Sequence, residues 1–253
     1  MENTVQWEDT VRECQDTIAL NPNNFWAYNN LGFALITLER WEEAVIVYNR
    51  AKEIDSQIFG IYNNLGFALT KLERWEDAVS CYHQAIKLDP DASLPYHNLG
   101  LVLDKLDQVE EAIAAYQHSI DLAPHQAWYY QNLGDSLSKK GQLEAALSAY
   151  QTGLKLDPNF CWFYQKIAQV FLKQKKWDDA IIFSLQSLQI QPDLTNSYHI
   201  VIEALQQKGE TDKIDPFNPI LPVKLLQEFG FLNEEQLITA SNHPEITKID
   251  IYS

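Results

Sequence analysis

From residue 26 to 38 apolar side chains recur three and four positions apart, and from 41 to 54 they do so again. That spacing gathers them on one stripe of an α-helix. Two amphipathic helices are therefore expected, with the Glu39-Arg40-Trp41 segment turning the chain between them. The pair is then written a second time. YNNLGFALITLERWEEAVIVYNRA begins at Tyr28, and YNNLGFALTKLERWEDAVSCYHQA begins at Tyr62, thirty-four residues later.

At that period whole columns fall into phase. Gly32, Gly66, Gly100, Gly134 and then Ala168 follow Leu31, Leu65, Leu99, Leu133 and Ile167. Ala44, Ala78, Ala112, Ala146 and Ala180 form a second column, and Tyr48, Tyr82, Tyr116, Tyr150 and Ser184 a third. Pro22, Pro90, Pro124, Pro158 and Pro192 form a fourth, with Ser56 as its lapse. The small columns predict two antiparallel helices crossing with their backbones close together. The tyrosines would fill the gap toward the next unit, and proline would end each second helix because it cannot continue one. A single hairpin cannot bury its apolar face, so the units must stack into an array.

These Leu-Gly, Ala, Tyr and Pro columns resemble the tetratricopeptide repeat (TPR) family. The resemblance implies an all-α fold, an α-solenoid of helix-turn-helix units wound into a right-handed superhelix. It also implies a scaffold that binds other proteins. Three segments follow: an N-terminal capping half-repeat at 1–22, an array at 23–209, and an irregular C-terminal segment at 210–253. The array holds five clear repeats and a degenerate sixth beginning near Thr195, with Tyr198, Val201 and Leu205 in register. Residues 5–19 read as a lone second helix with Cys14 in the tyrosine column. The tail departs from the period at TDKIDPFNPILP, whose prolines forbid continuous helix. Two short helices are expected beyond it, and this apolar segment would cover the last exposed face of the array, fold back on the groove, or begin a further domain.

Charge narrows the partners. Thirty-five acids against nineteen bases give a net charge of −16. Such a balance repels nucleic acid and anionic membranes, so neither is expected, and a basic end on a protein or peptide partner is favoured. No apolar run approaches a membrane span. The N-terminus MENTVQWEDTVRE lacks the basic and apolar stretches of a signal peptide. Three cysteines without CxxC spacing suit a reducing compartment, and a cytoplasmic location is the resulting expectation.

The candidate binding residues lie on the first helix of each hairpin, which in the resembled family lines the concave groove. Asn30, Asn64, Asn98 and Asn132 precede successive Leu-Gly pairs until Lys166 interrupts. Asparagine is a middling helix former, whereas its amide offers the donor and the acceptor that a peptide backbone needs. Helices about 8–10 Å apart would let such a ladder grip an extended chain, rising about 3.3 Å per residue, at roughly every third position. Similar ladders occur in the TPR regions of O-linked N-acetylglucosaminyltransferases and kinesin light chains. A second polar column runs beside it: Asn29, Asn63, His97, Gln131, Gln165 and His199. A third changes from Phe33, Phe67 and Leu101 to Asp135, Gln169 and Glu203, which predicts a groove apolar at its start and acidic further on. Trp26, Leu94, Trp128 and Trp162 stand where first helices begin.

Chemistry beyond binding finds no foothold. The acids at Glu42, Glu76, Glu110, Glu144 and Asp178 suit the first turn of a helix, and Lys71, Lys105, Lys139 and Lys173 suit the last. No phosphate loop, HExxH or GxSxG occurs. The six histidines lack metal-ligand spacing. No cofactor, metal or catalytic residue is expected. The leading reading is a non-catalytic scaffold that takes a peptide or unstructured protein segment in its groove. The alternatives are the partner- or substrate-recruiting arm of a larger enzyme such as a glycosyltransferase, and self-association through end repeats.

Overall fold

The computed structural model describes residues 2–191 and 193–210; the predicted tail helices and the cap lie outside them. The described residues form twelve α-helices and no strand, an all-α solenoid of helix-turn-helix repeats. Two compact units divide the chain, Met1–His125 and Gln126–Ser253. In the first, α1 (Glu2–Leu20) precedes the hairpins α2–α3 (Phe25–Thr37, Trp41–Ile54), α4–α5 (Phe59–Lys71, Trp75–Leu88) and α6–α7 (Ser93–Lys105, Val109–Leu122). In the second, α8–α9 (Ala127–Lys139, Leu143–Leu156) and α10–α11 (Cys161–Lys173, Trp177–Ile190) are followed by α12 (Thr195–Lys208). Helices adjacent in sequence pack together within each unit.

The turn inside each hairpin is one motif used five times. Arg40 donates its N–H to the Leu35 carbonyl at 2.8 Å, and Glu39 donates to Ile36 at 3.0 Å. Arg74, Gln108, Gln142 and Lys176 repeat the first bond, to Leu69, Leu103, Leu137 and Phe171. This pair of bonds satisfies the carbonyls left over at a helix end and requires a left-handed residue between them. Glu39, Glu73, Asp107 and Lys175 adopt that conformation at φ between 57° and 60°, and in the fourth hairpin Gly141 does.

Between hairpins the chain turns differently. Asp55 and Asp89 are extended and Asp157 lies at φ −134°, ψ 88°, and their carboxylates accept N–H bonds from Gln57, Asp91 and Asn159 at 2.8–3.3 Å. Such side-chain turns break a helix without proline. They explain why the second hairpin begins correctly although Ser56 replaces the proline.

The core is built from the predicted columns, with one change of role. All five alanines of the Ala column and the four tyrosines are buried. Each glycine faces the tyrosine of its own hairpin rather than a neighbouring backbone. A Cβ on Gly32 would sit 2.5 Å from Tyr48 Cζ, and one on Gly66 would sit 2.8 Å from Tyr82 Cε1. The glycines are small so that a ring can lie against the first helix.

Candidate functional site

In the first unit the second, sixth and ninth residues of each first helix share one face, because they are separated by about one and two helical turns. On α2 these are Trp26, Asn30 and Phe33, all exposed. On α4 they are Gly60, Asn64 and Phe67, all half-buried. On α6 they are Leu94, Asn98 and Leu101, with Asn98 only 8% exposed. First helices α2, α4 and α6 touch in sequence, so these residues lie side by side across the repeats.

The asparagines are joined to each other. Asn98 Nδ2 on α6 donates to Asn63 Oδ1 on α4 at 3.0 Å, and Asn63 Nδ2 donates to Asn64 Oδ1 at 3.3 Å. Asn29 Nδ2 reaches Asn30 Oδ1 at 3.4 Å. The ladder therefore has a graded exposure: Asn30 is open, Asn64 half-open, and Asn98 recessed and tied to Asn63. In the second polar column, Asn63, His97 and Gln165 are buried, Asn29 and Gln131 are half-buried, and His199 is exposed. His97 packs on Tyr116 with ring centroids 5.4 Å apart, and burial pushes its pKa down to about 3.

Apolar neighbours support the phenylalanines. The Trp7 edge meets Phe33 at 5.7 Å, and Trp41 meets Phe67 at 6.0 Å. Lys71 Nζ lies over both rings of the second pair, 5.4 Å from Phe67 and 5.7 Å from Trp41. Trp7 and Trp41 are thirty-four residues apart, so α1 presents to α2 what α3 presents to α4.

In the second unit Asn132 and Gln131 are half-buried, and Trp128 and Trp162 are about 40% exposed. Asp135 accepts a bond from the Tyr150 hydroxyl at 2.6 Å and pairs with Lys166 Nζ at 2.9 Å. Burial, with the Asp135 charge added, drives the Tyr150 pKa upward, so the hydroxyl stays protonated and donating. Lys166 also lies over Trp162 at 5.9 Å. The residue that interrupts the asparagine column thus neutralises the carboxylate expected to draw a basic ligand. Glu203 on α12 is exposed.

Charge is distributed by unit. Residues 1–125 carry twenty acids and eight bases, whereas residues 126–210 carry eight of each. The excess of acids is therefore larger over residues 1–125, while the groove column itself still runs from Phe33 and Phe67 to Asp135 and Glu203.

One feature of the first unit escaped sequence reasoning. An open cleft of about 240 Å³ lies between α1 and α2, bordered by Glu13, Cys14 and Thr17 and by Trp26, Ala27 and Asn30. Its signal was legible, since Cys14 occupies the tyrosine column with a much smaller side chain. Among the described residues, no group of three or more His, Cys, Asp and Glu is placed to hold a metal ion, and no helix is long and apolar enough to cross a membrane.

Such a face can hydrogen-bond a peptide backbone and shelter apolar side chains. Comparison with known proteins agrees on the architecture. The tetratricopeptide repeat pattern matches residues 13–46, 57–125 and 91–159. YrrB, described as a TPR protein with an unusual peptide-binding site, aligns at 22% identity and a TM-score of 0.62, covering 74% of this chain and 96% of that one. PilF of Pseudomonas aeruginosa aligns at 18% identity and 0.66, covering 86% and 97%. A chain of the Cut9–Hcn1 hetero-tetramer of the APC/C aligns at 18% and 0.65, covering 95% of this chain and 45% of that one. Among curated proteins, no sequence matches the chain.

Proposed function

The chain belongs to the tetratricopeptide repeat family, and on that premise we propose that it is a non-catalytic scaffold binding an extended protein segment on the first-helix face of its repeats. The observation that carries this reading is the recurrence of Asn30, Asn64 and Asn98 beside Phe33, Phe67 and Leu101 on three touching helices. Helix propensity gives no reason for asparagine there. Packing supplies one most clearly for Asn98, which is recessed and bonded to Asn63, and in part for Asn64, which accepts from Asn63 and lies by the Tyr48 hydroxyl. Asn30 is exposed and Asn64 half-exposed, where a ligand backbone can reach them.

On this reading Asn30 and Asn64 hold backbone amides of the ligand. Phe33 and Phe67 line the adjoining apolar surface, Asn98 with Asn63 and Asn29 positions the row, and Asn132 with Gln131 offers equivalent groups in the second unit. A basic stretch of the ligand is drawn to the first unit by its charge. Glu203 remains available in the second unit, while Asp135 is engaged by Lys166. YrrB's description as a peptide binder is in keeping with this use of the fold.

The test is an array of immobilised overlapping peptides from the host proteome, probed with the wild-type chain and with Asn30→Ala/Asn64→Ala. The reading expects a set of peptides bound by wild type and lost by the variant, with an unchanged melting temperature. Equal binding by both proteins would remove the first-helix face from consideration.

A further inference from the structure

The cleft between α1 and α2 differs from the equivalent place one repeat later at six of its seven lining positions, and two of the exchanges remove buried bulk. There Tyr48 and Ile61, both fully buried, fill the space, and the Tyr48 hydroxyl lies by the Asn64 side chain. In the first repeat the same positions hold Cys14 and Ala27. Exchanging tyrosine for cysteine and isoleucine for alanine removes the filling and leaves about 240 Å³ open beside Asn30. That volume is below the roughly 300–1,000 Å³ of small-molecule sites, and it suits a single side chain.

The lining specifies which side chain. Glu13 is exposed on one wall, and no hydrogen bond or ion pair engages its carboxylate among the described residues. Trp26, 66% exposed, presents an indole on the other wall. Asn30 stands at the mouth, and Cys14 and Ala27 form an uncharged floor. Burial first, then the charge of neighbouring Glu13, raises the Cys14 pKa, so the floor remains a neutral thiol. A carboxylate and an aromatic ring bordering one cleft are a setting for a cation, and a planar guanidinium can bond the first while stacking on the second. The surrounding unit, with twenty acids against eight bases, adds long-range attraction.

We propose that this cleft is an arginine-binding subsite: it seats an arginine side chain of the segment whose backbone Asn30 and Asn64 hold. The inference rests on the groove reading and adds a sequence requirement to it. The ligand carries an arginine at one fixed place, at the end of the row nearest α1.

The experiment titrates the full chain, labelled with ¹⁵N at tryptophan, with N-acetyl-L-arginine methylamide. The neutral isostere N-acetyl-L-citrulline methylamide serves as control. The Trp26 indole signal, assigned by its loss in Trp26→Phe, is expected to shift saturably with the arginine compound and at least tenfold more weakly with citrulline. Cys14→Tyr, which restores the side chain present in the next repeats, and Glu13→Gln are each expected to weaken binding at least tenfold while the protein stays folded by circular dichroism. No saturable shift, an equal response to citrulline, or undiminished binding in Cys14→Tyr would overturn the assignment. Peptide arrays separate the two readings. Peptides bound by wild type but indifferent to Arg→citrulline replacement sink the cleft alone. An array without any bound peptide sinks the groove, and the arginine titration then decides the cleft by itself.

Discussion

Gly100 and Tyr116 are a matched pair: a Cβ added to the glycine would lie 2.6 Å from Cε1 of the ring, inside contact distance. Tyr116 is fully buried and its hydroxyl donates to Asp104 Oδ2 at 3.0 Å, so the ring has nowhere to go. The fifth repeat changes both columns together, with Ala168 for the glycine and Ser184 for the tyrosine, and both of those residues are buried.

Gly100→Ala is accordingly expected to destabilise the chain by about 1–3 kcal/mol, the range for overpacking a core. In Gly100→Ala/Tyr116→Ser the steric part should disappear, leaving the cost of the lost ring. Thermal melts of the two single variants and the double would reveal the coupling. Strict additivity would mean that the ring and the glycine do not meet.

The hairpin turns make a second expectation. Asp107 holds a left-handed conformation at φ 60° that Gly141 holds one repeat later. That conformation costs a residue with a Cβ roughly 1–2 kcal/mol, against roughly 0.5–1 kcal/mol for the extra freedom glycine loses on folding. Asp107→Gly should therefore raise stability by up to about 1 kcal/mol, and Gly141→Ala should lower it by a similar amount. Urea unfolding of both variants measures this. A decrease in stability for Asp107→Gly would show that the carboxylate contributes more than the turn costs.

His97 predicts a pH dependence. Its folded-state pKa is depressed to about 3 by burial, below the ordinary histidine value of about 6.5. The unfolded chain then binds a proton that the folded chain refuses, so stability from this group is intact above about pH 6.5 and declines as pH falls toward 3. The slope is at most about 1.4 kcal/mol per pH unit. His97→Gln, neutral at every pH, should melt with a shallower acid dependence between pH 6.5 and 4. Parallel curves for the two proteins would show that the histidine takes up a proton in place.

The repeat was legible because it is local. A thirty-four-residue period and the three-and-four spacing of apolar residues place every hairpin from Phe25 to Ile190 without reference to tertiary contacts. Roles that depend on a neighbouring repeat were less so. Asn63 and Asn98 read as parallel groove residues, yet one repeat's twist brings their amides to 3.0 Å, and they bond. Asp135 read as a free charge because Lys166, its partner, lies thirty-one residues away on the next first helix. The Cys14 cleft is an absence of volume, which apolar periodicity does not register.

The pairing of Asp135 with Lys166 leads to the last prediction, on where salt and charge act. Asp135 is only partly exposed and already carries a lysine and a tyrosine hydroxyl, so removing its charge strands Lys166 rather than weakening a ligand. A captured basic peptide should therefore bind Asp135→Asn about as well as wild type. It should bind Glu13→Gln distinctly less well, and Asn30→Ala/Asn64→Ala about fivefold to a hundredfold less, at about 0.5–1.5 kcal/mol for each hydrogen bond to the peptide backbone that is removed. Raising salt from about 0.01 to about 0.15 M shortens the screening length from about 30 to about 8 Å. That change should weaken wild type markedly while leaving the residual affinity of Glu13→Gln less affected. Titrations of one peptide against these four proteins at two salt concentrations read all of this. If Asp135→Asn binds more weakly while Glu13→Gln does not, the basic part of the ligand lies on the second unit, and the charge of the first unit serves another purpose.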